Sequence, residues 1–274
     1  MSDVAPTNAR IAESLLAFWA DGGVDAMLLE APQDRIAAGR ILPPARPPSP
    51  TAAAAPRVNA GAKSPDVSAA VAQAEALAAQ AEDLDALCAA IAAFDGCPLR
   101  HEGAATQAVV WRGDPAAPLM VIGEAPGADE DALGQPFVGR AGKLLDKMLG
   151  AAGLADQVMI SNTVFWRPPG NRTPNLAEQA VCAPFLERMI ALVQPKMLLL
   201  VGGASAKAML KEDQGILAMR GRWFQWRSAD GAIELPALPT LHPAFLLRQP
   251  AAKKRAWSDL LTLTERLDRL DARL

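Results

Sequence analysis

The sequence predicts an α/β protein, a parallel sheet covered by helices on both faces, with a helical and partly disordered N-terminal extension. Three observations carry this. From residue 94 onward, short apolar runs alternate with longer segments of helical spacing, the pattern of a parallel sheet with crossover helices. The runs at 119–122 (LMVI) and 197–201 (MLLLV) are continuously apolar, as strands buried on both faces are. Ahead of them, residues 43–67 are dominated by Pro, Ala, Ser and Gly and cannot bury enough surface to offset their ordering entropy, so they read as a flexible tether.

In chain order, the spacing of Ile11, Leu15, Leu16 and Trp19 predicts a short amphipathic helix within an N-terminal segment 1–42. After the tether, 68–93 is rich in strong helix formers and reads as a connecting helix into the globular part, 94–274. There the expected strands are 108–111, 119–123, 159–164, 197–201 and 237–241. The expected helices are 141–152, 176–193, 204–210 and roughly 251–270. Asn175 followed three residues later by Glu178 is the signature of a capping box opening the second of these helices. The stretch RWFQWR (222–227) fits either an edge strand or a loop.

Composition narrows the function. No apolar run approaches a membrane span and no basic-then-apolar leader opens the chain, so a cytoplasmic protein is expected. The net charge of −3 divides unevenly: residues 1–93 carry 6 Lys/Arg against 11 Asp/Glu, and residues 94–274 carry 21 against 19. The mildly basic second part places Arg140, Arg167, Arg172, Arg248 and Lys253-Lys254-Arg255 beside expected loops, where they suit a nucleic-acid backbone if they share a face. Neither a Walker lysine loop nor a dinucleotide GxGxxG is present, so no nucleotide cofactor is expected. Two histidines without paired cysteines give no metal site, and the three cysteines form no CxxC pair.

Three strand ends carry polar residues that packing would not select. Glu124 follows the first apolar run, in the turn Gly123-Glu124-Ala125-Pro126-Gly127. Asn162 stands among apolar neighbours, and a buried amide is either a structural clasp or a reader of a ligand's edge. His242 follows the last strand and is held extended by Pro243. Ligands of open α/β sheets bind at this carboxyl edge. Together with the loop-borne Phe137, these groups suit a flat polar heterocycle: a ring to stack on it, an amide to read its edge and an imidazole to bond an exocyclic oxygen.

The stretches GEAPGADEDALGQPFVGRAGKLL, Asn162 through Pro174 (NTVFWRPPGNRTP) and HPAFLLRQP resemble the family 4 uracil-DNA glycosylases, in the right order and spacing over about residues 94–265. The resemblance implies a three-layer α/β/α sandwich around a central four-stranded parallel sheet. It implies a DNA-repair enzyme acting as a monomer near the nucleoid, which flips uracil out of DNA and hydrolyses its N-glycosidic bond; because the family's cluster ligands are incomplete in this chain, no cofactor is expected. It also implies that Glu124 positions or activates water, that Phe137 stacks on uracil between Gly123, Ala125 and neighbouring loop residues, and that Asn162 reads N3 and O4. His242 would stabilise charge on O2, and Glu130 would lie near C5 and help exclude thymine. Leu246 and Leu247 would supply the wedge that fills the vacated stack, and Arg140, Arg167, Arg172 and Arg248 would meet phosphates.

The departures from the family pattern are equally specific. The family usually holds an iron–sulfur cluster on four cysteines. Here Cys97 and Cys182 match two of them, while Phe94 and Trp166 stand at the other two positions, and two thiolates cannot hold a four-cysteine cluster. Packing is therefore expected to have taken over the cluster's structural role. Two other readings remain open: an inactive DNA- or base-binding relative, and a glycosylase for another deaminated base such as hypoxanthine or xanthine.

Overall fold

The computed structural model describes residues 67–271, and the expected helix near residues 9–20 and the tether lie outside them, save for residue 67. The alanine-rich stretch forms two helices, α1 (Val67–Gln80) and α2 (Leu84–Ala93), where a single connecting helix was expected. Asp83 breaks the run because its carboxylate accepts the Ala86 N–H at 2.8 Å and caps a new helix. Ala70, Ala74 and Ala78 recur at helical spacing and are buried against the core. Arg188 closes the carboxyl end of α1, donating through Nε and Nη2 to the Ala81 carbonyl at 2.9 and 2.7 Å.

The remaining elements follow as β1 (Trp111–Gly113), β2 (Leu119–Gly123), α3 (Ala128–Leu133), α4 (Arg140–Ala151), β3 (Val158–Asn162), α5 (Leu176–Val193), β4 (Met197–Val201), α6 (Gly203–Leu210), α7 (Ile216–Met219), β5 (Phe224–Arg227), β6 (Glu234–Thr240), α8 (Pro243–Arg248) and α9 (Lys253–Asp271). They build one six-stranded sheet in the order β1-β3-β2-β4-β6-β5. The inner four strands are parallel, as expected, and each edge adds one antiparallel strand. RWFQWR thus resolves into an edge strand. The first expected strand shifts to Trp111–Gly113 and runs antiparallel to β3. Gly113 fits there at φ +101, where a Cβ would stand 2.2 Å from the Val158 carbonyl oxygen.

β2, β3 and β4 are buried at every residue, which is why their sequences do not alternate. Side chains of alternate parity feed two cores. Met120, Ile122, Met159, Leu198 and Leu200 pack with α1, α2 and α5 on one face. Leu119, Val121, Ile160, Leu199 and Val201 pack with α4 and α9 on the other, completing three layers. The predicted capping box opens α5: Asn175 Oδ1 accepts the Glu178 N–H at 2.9 Å, and Glu178 accepts the Asn175 N–H at 2.8 Å.

Candidate active site

The chain leaves β2 towards β3 on one side, and returns across the sheet to β4 on the other. Such a reversal opens a crevice beyond the carboxyl ends of the strands. A cavity of about 560 Å³ lies there, and its lining includes Glu124, Ala125, Glu130, Phe137, His242 and Arg248. Residues separated by more than a hundred positions thus meet because β2 and β6 are parallel members of one sheet and end on the same side.

The register pairs Gly123 with Asn162, so the last residue of β2 lies beside the last of β3. A Cβ on Gly123 would come within 2.4 Å of the Phe137 ring and 2.5 Å of Asn162 Oδ1. Only a glycine lets ring and amide converge on the strand end. The Asn162 amide is buried, with its residue 1% exposed, and neither Oδ1 nor Nδ2 has a hydrogen-bond partner among the described residues. An unpaired buried amide costs about 1–3 kcal/mol, so its retention requires a compensating use.

Glu124 is held through its backbone. Its carbonyl accepts the Thr163 hydroxyl at 2.7 Å, and the Gly123 carbonyl accepts the Thr163 N–H at 3.0 Å. The Glu124 carboxylate itself makes no hydrogen bond or ion pair among the described residues and lines the cavity. Glu130 is fully engaged: one oxygen accepts the Gly127 N–H at 3.0 Å, the other the Val138 and Gly139 N–H groups at 3.0 and 2.9 Å. Its carboxylate therefore ties the turn after Glu124 to the turn that carries Phe137.

His242 caps α8, with Nδ1 accepting the Ala244 N–H at 3.1 Å. That bond leaves the proton of the neutral ring on Nε2. Burial, reinforced by the Arg248 charge and opposed by Glu130, pushes its pKa from 6.5 down to about 4, so the ring is neutral at pH 7. It lies 5.8 Å from the Phe137 ring, tilted by 33°.

The other expected contacts divide. Leu246 is buried against Leu241 and Ala256, so it anchors α8 and is not free to act as a wedge, whereas Leu247 and Arg248 are exposed. Arg140 is exposed at the start of α4, and Arg167 donates to Asn171 Oδ1 at 2.8 Å. Arg172 lines the cavity but is taken up by carboxylates: it donates to both oxygens of Glu178, at 2.5 and 2.8 Å, and to Glu102 at 3.0 Å. Burial alone would raise the Glu178 carboxyl, but Arg172 and the Asn175 N–H hold it below the ordinary range. Arg172 therefore acts as a strut for the 165–174 loop. Its pairing with Glu102, 70 positions away, and with Glu178 had no signal in the sequence.

The residues at the family's cluster position do not fit an iron–sulfur cluster. Cys97 and Cys182 are fully buried with their sulfurs 4.0 Å apart, and burial pushes the Cys182 thiol well above its ordinary value. Phe94 and Trp166 occupy the remaining space as packed rings, 6.4 Å apart, with Phe185 edge-on to Phe94 at 5.1 Å. Among the described residues, no group of three or more His, Cys, Asp or Glu side chains is disposed to hold a metal ion. No described helix is long and apolar enough to cross a membrane.

Comparison with known proteins agrees with this geometry. The family model for the uracil DNA glycosylase superfamily matches residues 110–261, from β1 into α9. The type-4 uracil-DNA glycosylase of Pyrobaculum aerophilum is 38% identical over 183 residues, covering 65% of this chain and 91% of its own length. Those of Sulfurisphaera tokodaii and Thermotoga maritima are 40% and 36% identical, over 58% of this chain in each case and over 74% and 80% of their own lengths. With the sheet, the cavity at its carboxyl edge and a match over more than half its length, this chain belongs to the uracil DNA glycosylase superfamily.

Proposed function

We propose that this protein is a monofunctional uracil-DNA glycosylase, which extrudes uracil from DNA and hydrolyses its N-glycosidic bond to leave an abasic site. The Asn162 amide carries the reading. Its buried, unpartnered donor and acceptor form the complement of uracil O4 and N3–H, and binding that edge would satisfy both. The type-4 uracil-DNA glycosylases similar to this chain support the same activity.

In this mechanism the duplex gives up the base at a cost of a few kcal/mol, and the exposed Leu247 fills the vacated stack while Arg248, Arg140 and Arg167 meet the backbone. Phe137 stacks on uracil against the wall formed by Gly123 and Ala125. As the C1′–N1 bond breaks, its electron pair leaves with uracil and the charge spreads onto O2. The neutral His242 ring donates Nε2–H to that oxygen, a bond that strengthens as charge develops. The free Glu124 carboxylate faces the electron-poor sugar and orients the water whose oxygen adds to C1′, with the released proton passing to the carboxylate or to solvent. Glu130 spends its oxygens on backbone N–H groups, so it shapes the wall near C5 by fixing the loops around it. We also read the protein as a monomer. We assign the chemistry to 94–274 and a packing role to 68–93.

The test uses oligonucleotides that each carry one uracil, hypoxanthine or xanthine, followed by alkali. Alkali-labile sites from uracil alone, with no strand break before alkali, are expected. No product from uracil would refute the reading, and breaks before alkali would refute the monofunctional assignment.

A further inference from the structure

Phe137 has a backbone conformation that its side chain does not favour. Its φ is +56°, in the left-handed region, where a non-glycine residue is strained and persists only if its surroundings hold it. Two groups hold the turn by its backbone. The Glu130 carboxylate accepts the N–H groups of Val138 and Gly139, just after Phe137. The Arg112 guanidinium donates to the carbonyls at and just before it, through Nε to Pro136 O at 2.7 Å and through Nη2 to Phe137 O at 3.1 Å. Arg112 stands on the edge strand β1, and its Nη2 is braced by Asp146 of α4 at 2.6 Å. The turn is pressed against α4 as well: a Cβ on Gly142 would come within 1.7 Å of Phe137 O.

We propose that Arg112 is a positioning residue for base recognition. From outside the cavity, it holds the Pro136 and Phe137 carbonyls so that Phe137 keeps its left-handed conformation and presents its ring beside Gly123 and Asn162. A guanidinium suits the task because its planar fork reaches two carbonyls and a carboxylate at once, which a lysine ammonium cannot do in fixed geometry. This also gives the short antiparallel edge strand a purpose, since β1 places Arg112 level with Ile160, two residues before Asn162. The proposal rests on the reading of Phe137 as the stacking residue for uracil.

A double-mutant cycle tests it with the full chain and a uracil-containing oligonucleotide under single-turnover conditions, with circular dichroism confirming that each variant is folded. Arg112→Met is expected to lower kcat/KM about tenfold when Phe137 is present, and less than about twofold in a Phe137→Ala background, because residues acting through one another are not additive. Arg112→Lys should recover part of the loss. Equal losses in both backgrounds would show that Arg112 supports the fold in general and would overturn the proposal. If Arg112→Met does not fold, Asp146→Asn, which removes only the outer brace, replaces it in the same cycle and is judged by the same non-additivity. Wild-type protein that leaves uracil untouched would overturn the glycosylase reading instead, so the two failures are distinguishable.

Discussion

Truncating Phe94 to alanine tests whether packing has replaced the cluster. Phe94 is 1% exposed, its ring meets Phe185 edge-on at 5.1 Å, and Trp166 lies 6.4 Å away. The site is closely packed. Gly96 lies so close that a Cβ there would stand 2.5 Å from the Phe94 ring and 3.1 Å from the Ala70 methyl. Removing a buried phenyl group from such a site costs about 3–5 kcal/mol, the transfer free energy of the lost carbons plus the cavity that remains. The lost edge-to-face contact contributes about 0.5–1.5 kcal/mol and places the total in the upper part of that range. For a domain of about 200 residues each kcal/mol moves the melting midpoint by roughly 2–4 °C, so Phe94→Ala should melt roughly 6–20 °C lower. The assay is urea unfolding and thermal melting of wild type and variant side by side, with uracil excision measured well below both midpoints. Excision there should be close to wild type, since Phe94 does not line the cavity. A loss below about 1 kcal/mol would refute the argument, because a removable ring cannot be replacing a structural cluster.

Three further outcomes are expected. Asn162→Asp removes the donor to O4, so folded variant should lose most uracil excision while its selection against cytosine weakens; wild-type excision rates would return Asn162 to the role of structural clasp. His242 sits well below its ordinary value of 6.5, at about 4, so the folded state binds fewer protons than the unfolded state between those values. Its contribution to stability is therefore complete above pH 6.5 and is lost as pH falls towards 4, and the stability gap between wild type and His242→Gln should shrink over that interval; a gap that widens on acidification would contradict the assignment. Purified protein should be colourless and carry no stoichiometric iron even when prepared anaerobically, and a cluster-like visible absorbance would overturn the packing account.

The parts of this protein legible in its sequence are those where one residue's chemistry conflicts with its neighbourhood. Glu124, Asn162 and His242 each end an apolar run, and a parallel sheet gathers such ends at one edge. Their convergence followed from the alternation of strands and helices, without any knowledge of distances. The Asn175–Glu178 capping box was equally local, since both of its hydrogen bonds lie within three residues. The break between α1 and α2 was local too, but alanine-rich composition hid it: helix propensity favours one long helix, and the Asp83 cap prevails only because its carboxylate has a specific N–H to meet.

What the sequence did not disclose is long-range pairing among charged residues. Arg172 reads as a phosphate ligand because it sits on a basic loop, yet two carboxylates, one of them 70 positions away, already take its guanidinium. Leu246 and Leu247 are adjacent and chemically identical, and only the helical turn of α8 decides that one faces Leu241 and the other solvent. Arg112 appears as an ordinary strand residue until the Pro136 and Phe137 carbonyls are seen to point at it from 24 and 25 positions away. In each case charge and hydropathy state what a side chain can bond, but partner choice depends on which loops the sheet brings within about 3 Å. The same reasoning explains the cluster position. Two thiols and two rings are incompatible with a four-cysteine site by composition alone, whereas the closeness of their packing emerges only when α1, α2 and α5 are assembled around them. The groups proposed for catalysis were therefore the easier part to place, because they sit at strand ends. The supports that hold Phe137 and the 165–174 loop were the harder part, because their partners meet only in the folded chain.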